Sequence, residues 1–342
     1  MSTSQGSALL QIRGLRTRFT TPRGPITAVD GVDLDILAGE TVAVVGESGS
    51  GKSVTALSVL RLFNRGDRAA LDGTVLWQGR DGAVVDLATL PEAQLATLRG
   101  RDIAVIFQDP GASLNPVFSI GSQITEVLHR HRPEMAGHGA SAREAAVHLL
   151  REVGIADPER RLNAFAHQLS GGMRQRVMIA IALACAPGVL IADEPTTALD
   201  VTIQAQIMRL LAELKSRLGM ALLFITHDLA LVAEIADRIV VMYAGQVVES
   251  GHASEVLGAP RHPYTRALLQ CRPRRHYRDG AADERVLQPI GGAPPRPGEI
   301  AQGCRFAPRC AVAQDDCRLH PVPLVEADDR RVVRCLHWKA LA

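Results

Sequence analysis

Three short apolar runs, residues 41–45, 189–192 and 221–226, show no alternation of polar and apolar positions. Runs this brief and continuous read as strands covered on both faces, the habit of parallel sheets. Around them the pattern changes to helical. Residues 53–63 follow the first run as a helix, and residues 120–131 and 140–153 are amphipathic at helical spacing. The uncharged stretch 177–192 is 16 residues long and is broken by Pro187-Gly188, so it reads as a buried helix followed by a strand. It is too short and too interrupted to cross a bilayer. Residues 1–108 read as strands, with a β-rich arm near 73–87, and from 177 to 249 helix and strand alternate as in an α/β protein. After Gly251 the pattern turns irregular, and no internal repeat is visible.

Chemistry enters where these elements end. The first strand runs into Gly46-Glu47-Ser48-Gly49-Ser50-Gly51-Lys52-Ser53, a G-x-x-x-x-G-K-[ST] loop set between strand and helix. Its glycines let the backbone wrap a phosphate with N–H groups, the helix start adds positive potential, Lys52 supplies a compact charge, and Ser53 offers a hydroxyl to magnesium. Of 38 Lys and Arg residues, lysine occurs only at 52, 215 and 339, so a chain that favours Arg keeps Lys where a slim cation suits phosphate. The run 189–192 ends in Asp193 and Glu194, carboxylates expected at the carboxyl end of a buried parallel strand, where open α/β sheets bind ligands. Asp193 fits the magnesium shell and Glu194 the base facing an attacking water.

A second anion-binding helix start follows from Leu169-Ser170-Gly171-Gly172-Met173, although one nucleotide needs only one phosphate cradle per chain. Together with Ile225-Thr226-His227-Asp228, these segments resemble the nucleotide-binding subunit of an ATP-binding-cassette (ABC) transporter. The resemblance implies a P-loop cassette with a RecA-like parallel-sheet core, an antiparallel β arm and a helical subdomain at about 110–168 that touches membrane subunits. It implies that Ser170, Gly171 and Gly172 bind the γ-phosphate of ATP held on an opposing cassette, with Asp200 at the same seam. It assigns Gln108 to the magnesium and water, and His227 to the γ-phosphate beside Glu194. By analogy Phe19, the only aromatic among the first 60 residues, stacks on adenine. The family more often has Tyr there and a shorter interval to the P-loop, and the turn-rich Thr20-Thr21-Pro22-Arg23-Gly24-Pro25 absorbs the extra distance.

Composition bounds the rest. At 342 residues, 46% hydrophobic and 22% charged, the chain reads as a globular protein with one large and one small unit. The division expected is a cassette over 1–255 and an extension over 256–342. The start, Met1-Ser2-Thr3-Ser4-Gln5, lacks the basic flank and apolar stretch of a secretory signal, so a cytosolic position is expected. A net charge of +2 gives no argument for nucleic acid, and the arginines at 272, 274, 275 and 278 read as a solvated linker.

His262-Pro263-Tyr264-Thr265, followed by Ala267-Leu268-Leu269, resembles the dipeptide and oligopeptide importer branch. That branch implies two permease chains, a second homologous cassette, an extracytoplasmic peptide-binding protein and a position on the cytoplasmic face of the membrane. Cargo other than peptide (a nickel complex, an opine, a glycan) uses the same kind of ATPase, and a soluble ABC ATPase is the rival from another class. Cys304, Cys310, Cys317 and Cys335 follow with spacing C-x5-C-x6-C-x17-C. Structural zinc usually has closer C-x(2–4)-C pairs, whereas a four-iron, four-sulfur cluster accepts wider spacing. Cluster, zinc and four unbonded thiols therefore rank in that order, and the segment Gly303–Cys310 also resembles the importer tail that carries such a cluster.

Overall fold

The computed structural model describes residues 8–64, 66–135, 139–197, 199–271, 289–295, 302–328 and 330–340. The arginines at 272, 274, 275 and 278 and part of the Pro/Gly-rich stretch 289–298 lie outside them. The strands are β1 (Ala8–Thr21), β2 (Gly24–Leu37), β3 (Thr41–Val45), β4 (Ala69–Gln78), β5 (Val84–Asp86), β6 (Ile103–Ile106), β7 (Val189–Asp193), β8 (Ala221–Thr226), β9 (Arg238–Tyr243), β10 (Gln246–His252), β11 (Val325–Asp328) and β12 (Arg331–Val333). They form two sheets: an antiparallel one ordered β2-β1-β4-β5, and a mixed eight-stranded one ordered β11-β12-β10-β9-β3-β8-β7-β6.

The five strands from β9 to β6 are parallel, so the carboxyl ends of β3, β6, β7 and β8 open on one edge. Alternate residues divide between two cores. Val42, Val44, Val189, Ile191, Leu223 and Ile225 pack towards the antiparallel sheet with Leu10, Ile12 and Val75. Leu190, Ala192, Leu222 and Phe224 face the helices Ile120–His131, Gly139–Glu152 and Gly171–Leu183. Burial on both faces explains why these strands show no alternation in sequence. Each buried Val, Leu, Ile or Phe contributes about 1.5–3 kcal/mol.

Some elements differ from expectation. The helix after the phosphate loop is Lys52–Val59, shorter than 53–63. It ends where Arg61 takes a positive φ of 50° and turns its guanidinium to the Ala88 and Leu90 carbonyls. Helix Glu92–Leu98 interrupts the region read as strands, with only Leu95 buried, too little apolar content to signal it. The turn-rich segment at 20–25 closes the β1–β2 hairpin, with Thr21 opposite Gly24. Beyond Gly251 the chain is more ordered than its pattern suggested: helices Ala253–Gly258 and Pro263–Gln270 form, and β12 pairs with β10 on the edge of the main sheet. Cys185 is buried just past helix Gly171–Leu183, and Cys271 is half-buried at the end of helix Pro263–Gln270.

Candidate functional site

The loop Gly46–Gly51 leaves the end of β3 and turns into helix Lys52–Val59. At its two ends the backbone lies so close to neighbouring strands that a side chain is excluded. A Cβ on Gly46 would fall 2.2 Å from the Met242 carbonyl oxygen, and one on Gly51, at φ 98°, would fall 2.6 Å from that of Ala28. Lys52 is buried and its Nζ donates to the carbonyls of Gly46 (2.8 Å) and Glu47 (3.0 Å). Burial lowers its pKa, opposed by the charges of Glu194, Asp193 and Glu47. The Ser50 hydroxyl is buried with no hydrogen-bond partner. It borders a cavity of about 310 Å³ lined by Ser48–Val54, Thr27, Ala28, Gln108, Glu194, Ala244 and Pro295. A cradle closed to a Cβ at Gly46 and Gly51, with a free buried hydroxyl and a buried cation, fits a polyphosphate.

Asp193 ends β7 and accepts a 2.9 Å hydrogen bond from Ser53 Oγ. Burial raises its pKa, Glu194 adds to the rise, and the Ser53 bond and Lys52 oppose it. A hydroxyl and a buried carboxylate held together beside the phosphate loop are an oxygen donor set suited to magnesium. The backbone of Glu194 takes a positive φ of 46°, and its N–H donates to the Ile225 carbonyl of β8 at 2.9 Å. Its carboxylate is unequally engaged. Oε2 accepts from Thr197 Oγ1 (2.9 Å) and Gln108 Nε2 (3.2 Å), whereas Oε1 has the His227 ring at 3.4 Å. Thr197 was not foreseen. Its signal is a hydroxyl residue three positions after the second acid, on a turn that leads back to it.

Gln108, Asp193, Glu194, His227 and the residues Gly46–Ser53 thus gather at one sheet edge. Ser170, Gly171, Gly172, Asp200 and Phe19 do not line the cavity. Ser170 caps helix Gly171–Leu183 by accepting from Met173 N–H, and Asp200 caps helix Val201–Leu218 by accepting from Ile203 N–H. The two caps adjoin, since a Cβ on Gly172 would meet Ile203 Cγ2 at 2.9 Å. Phe19 packs edge-on against Phe63, with ring centroids 5.6 Å apart.

The tail reaches the same edge from behind. Glu249 of β10 is fully buried, pairs with Arg331 of β12 at 2.8 Å, and accepts the N–H groups of Arg261 and His262 at 2.9 Å each. His262 caps its helix through Nδ1, accepting from Tyr264 N–H at 3.0 Å, and burial lowers its pKa to about 3. Tyr264, Tyr243 and Phe306 pack together with centroids 4.6–5.3 Å apart. Beside them Cys304, Cys310, Cys317 and Cys335 line one apolar cavity with Val322 and Leu336. Burial raises the pKa of Cys304 and Cys310 and pushes that of Cys335 up to about 11, so a cation is needed to hold them as thiolates. Among the described residues, the ligand atoms close enough to share one ion, within 4.8 Å of one another, belong to Asp316, Cys317 and His337, not to three of the four cysteines.

A sheet edge bearing a phosphate loop, a hydroxyl–carboxylate pair and an oriented glutamate defines a P-loop ATPase. The chain's own relatives narrow that class. Residues 29–197 match the model of the ABC transporter family, and residues 248–317 match that of the oligopeptide/dipeptide transporter C-terminal region. The oligopeptide transport ATP-binding protein AppD of Bacillus subtilis is 47% identical over 333 residues, covering 97% of this chain and 98% of its own. The dipeptide transport ATP-binding protein DppD of Escherichia coli is 46% identical, covering 96% of each. A Brucella melitensis protein provisionally named a peptide import ATP-binding protein is 50% identical, covering 98% of each. Among solved structures, a dimeric ATP-binding cassette in a post-hydrolysis state, bound to ADP and Pi, superposes with a TM-score of 0.61 at 28% identity, over 71% of this chain and 98% of its own. The chain belongs to the ABC transporter ATPases, in their oligopeptide/dipeptide branch.

Proposed function

We propose that this chain is the ATP-hydrolysing subunit of an importer of di- or oligopeptides, with Gly46–Ser53 as its nucleotide cradle and Glu194 as its base. The observation that carries the reading is the unequal engagement of Glu194. Two donors, from Thr197 and Gln108, fix Oε2, which leaves Oε1 as the atom able to take a proton from water. His227 stands beside that oxygen with 62% of its side chain exposed, free to reach a γ-phosphate. Lys52, the loop N–H groups and the Ser50 hydroxyl would hold the phosphates, and Ser53, Asp193 and Gln108 would hold magnesium, which would supply neutralisation of phosphate charge. Phe19 is the candidate adenine stack.

Ser170–Gly172 and Asp200 serve a partner's site in this reading. They lie outside this chain's cavity, and the solved relative just described is a dimer. The second cassette is a homologous chain, most simply a different one. Phe107 beside Gln108, and Val117 and Phe118 just before helix Ile120–His131 of the helical subdomain, are exposed apolar residues suited to two permease subunits. Among the described residues no helix is long and apolar enough to cross a membrane, and the chain is assigned to the cytoplasmic face of its permeases. An extracytoplasmic peptide-binding protein delivers the cargo.

For the tail, a four-iron, four-sulfur cluster on Cys304, Cys310, Cys317 and Cys335 is the reading favoured here. Four thiolates on one zinc lie about 3.8 Å apart, given bonds of about 2.3 Å. Such convergence is not found among these thiols, whereas one shared apolar cavity suits a larger core. The cluster would staple a segment poor in apolar residues. Zinc on Asp316, Cys317 and His337 is the second reading, favoured by their proximity. Iron, acid-labile sulfide and zinc, quantified on anaerobically purified chain, decide between them.

The test of transport is reconstitution with two permeases and a second cassette in proteoliposomes. Peptide-loaded binding protein is expected to stimulate ATP hydrolysis and peptide accumulation. Hydrolysis indifferent to every peptide, in a chain recovered only with soluble factors, would contradict it.

A further inference from the structure

Glu47, the second residue of the phosphate loop, has three polar handles, and all three are taken. Its carbonyl accepts from Lys52 Nζ at 3.0 Å, its N–H donates to the Tyr264 hydroxyl at 2.8 Å, and its carboxylate receives both Nη atoms of Arg309 at 2.6 and 2.9 Å. Two of those handles belong to the tail. Arg309 stands next to Cys310, its side chain is only 4% exposed, and Nε also donates to the Gly291 carbonyl at 2.8 Å. That last bond anchors the segment that brings Pro295 to the nucleotide cavity. The Lys52 ammonium has a third donor to offer a phosphate beside the two loop carbonyls it holds, and the Ser50 N–H also donates to the Glu47 carbonyl at 3.2 Å, so the tail's part is to restrain the N–H and the carboxylate of Glu47. A planar two-pronged guanidinium suits this task, because it fixes a carboxylate in direction as well as charge.

We infer that Arg309 is a positioning residue for ATP: from the cysteine-bearing tail it holds the phosphate loop in shape and neutralises a carboxylate that would otherwise repel the incoming triphosphate. The inference rests on the reading of Gly46–Ser53 as the nucleotide cradle. It makes the tail part of the nucleotide site, coupled through a contact that spans 262 residues of sequence.

The experiment is equilibrium binding of MgATP to the full-length chain and its variants, with thermal melting as a check on folding. Arg309→Met is expected to weaken binding about tenfold, the scale of one unpaired charge near a bound anion at intermediate dielectric. Arg309→Lys, which keeps charge but loses the fork, should fall between. The discriminating variant is Glu47→Gln combined with Arg309→Met. If repulsion and misplacement of Glu47 cause the loss, removing its charge restores affinity to within about threefold of wild type. Wild-type affinity in Arg309→Met, or a double variant as weak as the single, would overturn the inference and reduce the contact to tail docking. Lys52→Ala separates the premise from the inference. Its loss of ATP binding upholds the cradle, and its retention would bring down cradle and inference together.

Discussion

The parallel-sheet core and the cysteine-bearing tail lie side by side, yet different forces hold them. In the core, β3, β7 and β8 are buried on both faces by aliphatic side chains that fill two apolar clusters. Among the described residues between 302 and 340 the buried apolar side chains are few: Phe306, Ala307, Cys317, Val322 and Val333. Arginines take their place. Arg305 pairs with Asp30 of β2, Arg309 with Glu47, Arg331 with Glu249, and Arg334 donates to the Val247 carbonyl at 2.8 Å. Apolar burial is non-directional and tolerates small shifts, whereas a buried ion pair depends on geometry and on both partners being present. The tail is therefore the more exactingly fitted of the two regions, and one of its fittings, Arg309, ends on the nucleotide loop.

The comparison breaks most readily at Glu249. Arg331→Met leaves a buried carboxylate with only the two backbone N–H groups, at a cost of about 3–5 kcal/mol. In limited proteolysis the tail should open before the core, and urea denaturation should show a separate early step. A single cooperative transition at reduced midpoint would mean the two regions do not differ in this way.

Acidity sharpens the contrast. His262 stays neutral down to about pH 3 in the folded chain, because burial disfavours its charged form. The unfolded chain binds a proton there below about pH 6.5, so the native state loses stability as pH falls from about 6.5 towards 3, and keeps it above. Between pH 7 and 5 the loss from this residue is about 2 kcal/mol. His262→Asn, which retains an acceptor for Tyr264 N–H, should remove that part of the pH dependence in urea unfolding midpoints.

A smaller effect is expected within the core's own site. Thr197→Val removes one of the two donors that fix Glu194 Oε2. The turnover rate should fall about tenfold while MgATP affinity is unchanged, the range of one hydrogen bond to a charged group. Weakened affinity with normal turnover would place Thr197 in binding rather than in orienting the base.

The sequence made the core legible because its signals are local. A continuous apolar run, a loop with fixed glycine spacing and two acids at a strand end each sit within about ten residues, and β3, β7 and β8 formed where those runs lie. Helix Lys52–Val59 ended early because the positive φ of Arg61 is set by carbonyls from residues 88 and 90, which no helical period announces. Thr197 went unassigned because a lone hydroxyl after an acidic pair has many ordinary uses. The coupling of Arg309 to Glu47 and the pairing of β12 with β10 were illegible for a different reason. They join residues 262 and more than 80 positions apart, through side chains and short strands with no periodicity to betray them.

Single-turnover hydrolysis of ATP by the assembled transporter, with Glu194→Gln beside wild type, tests the central claim most directly. If Oε1 of Glu194 takes the proton from water, the amide variant should bind ATP as tightly as wild type and hydrolyse it about a hundred to ten thousand times more slowly. ATP would remain trapped and intact in its cassettes. Turnover within a few-fold of wild type would remove Glu194 from the role of base.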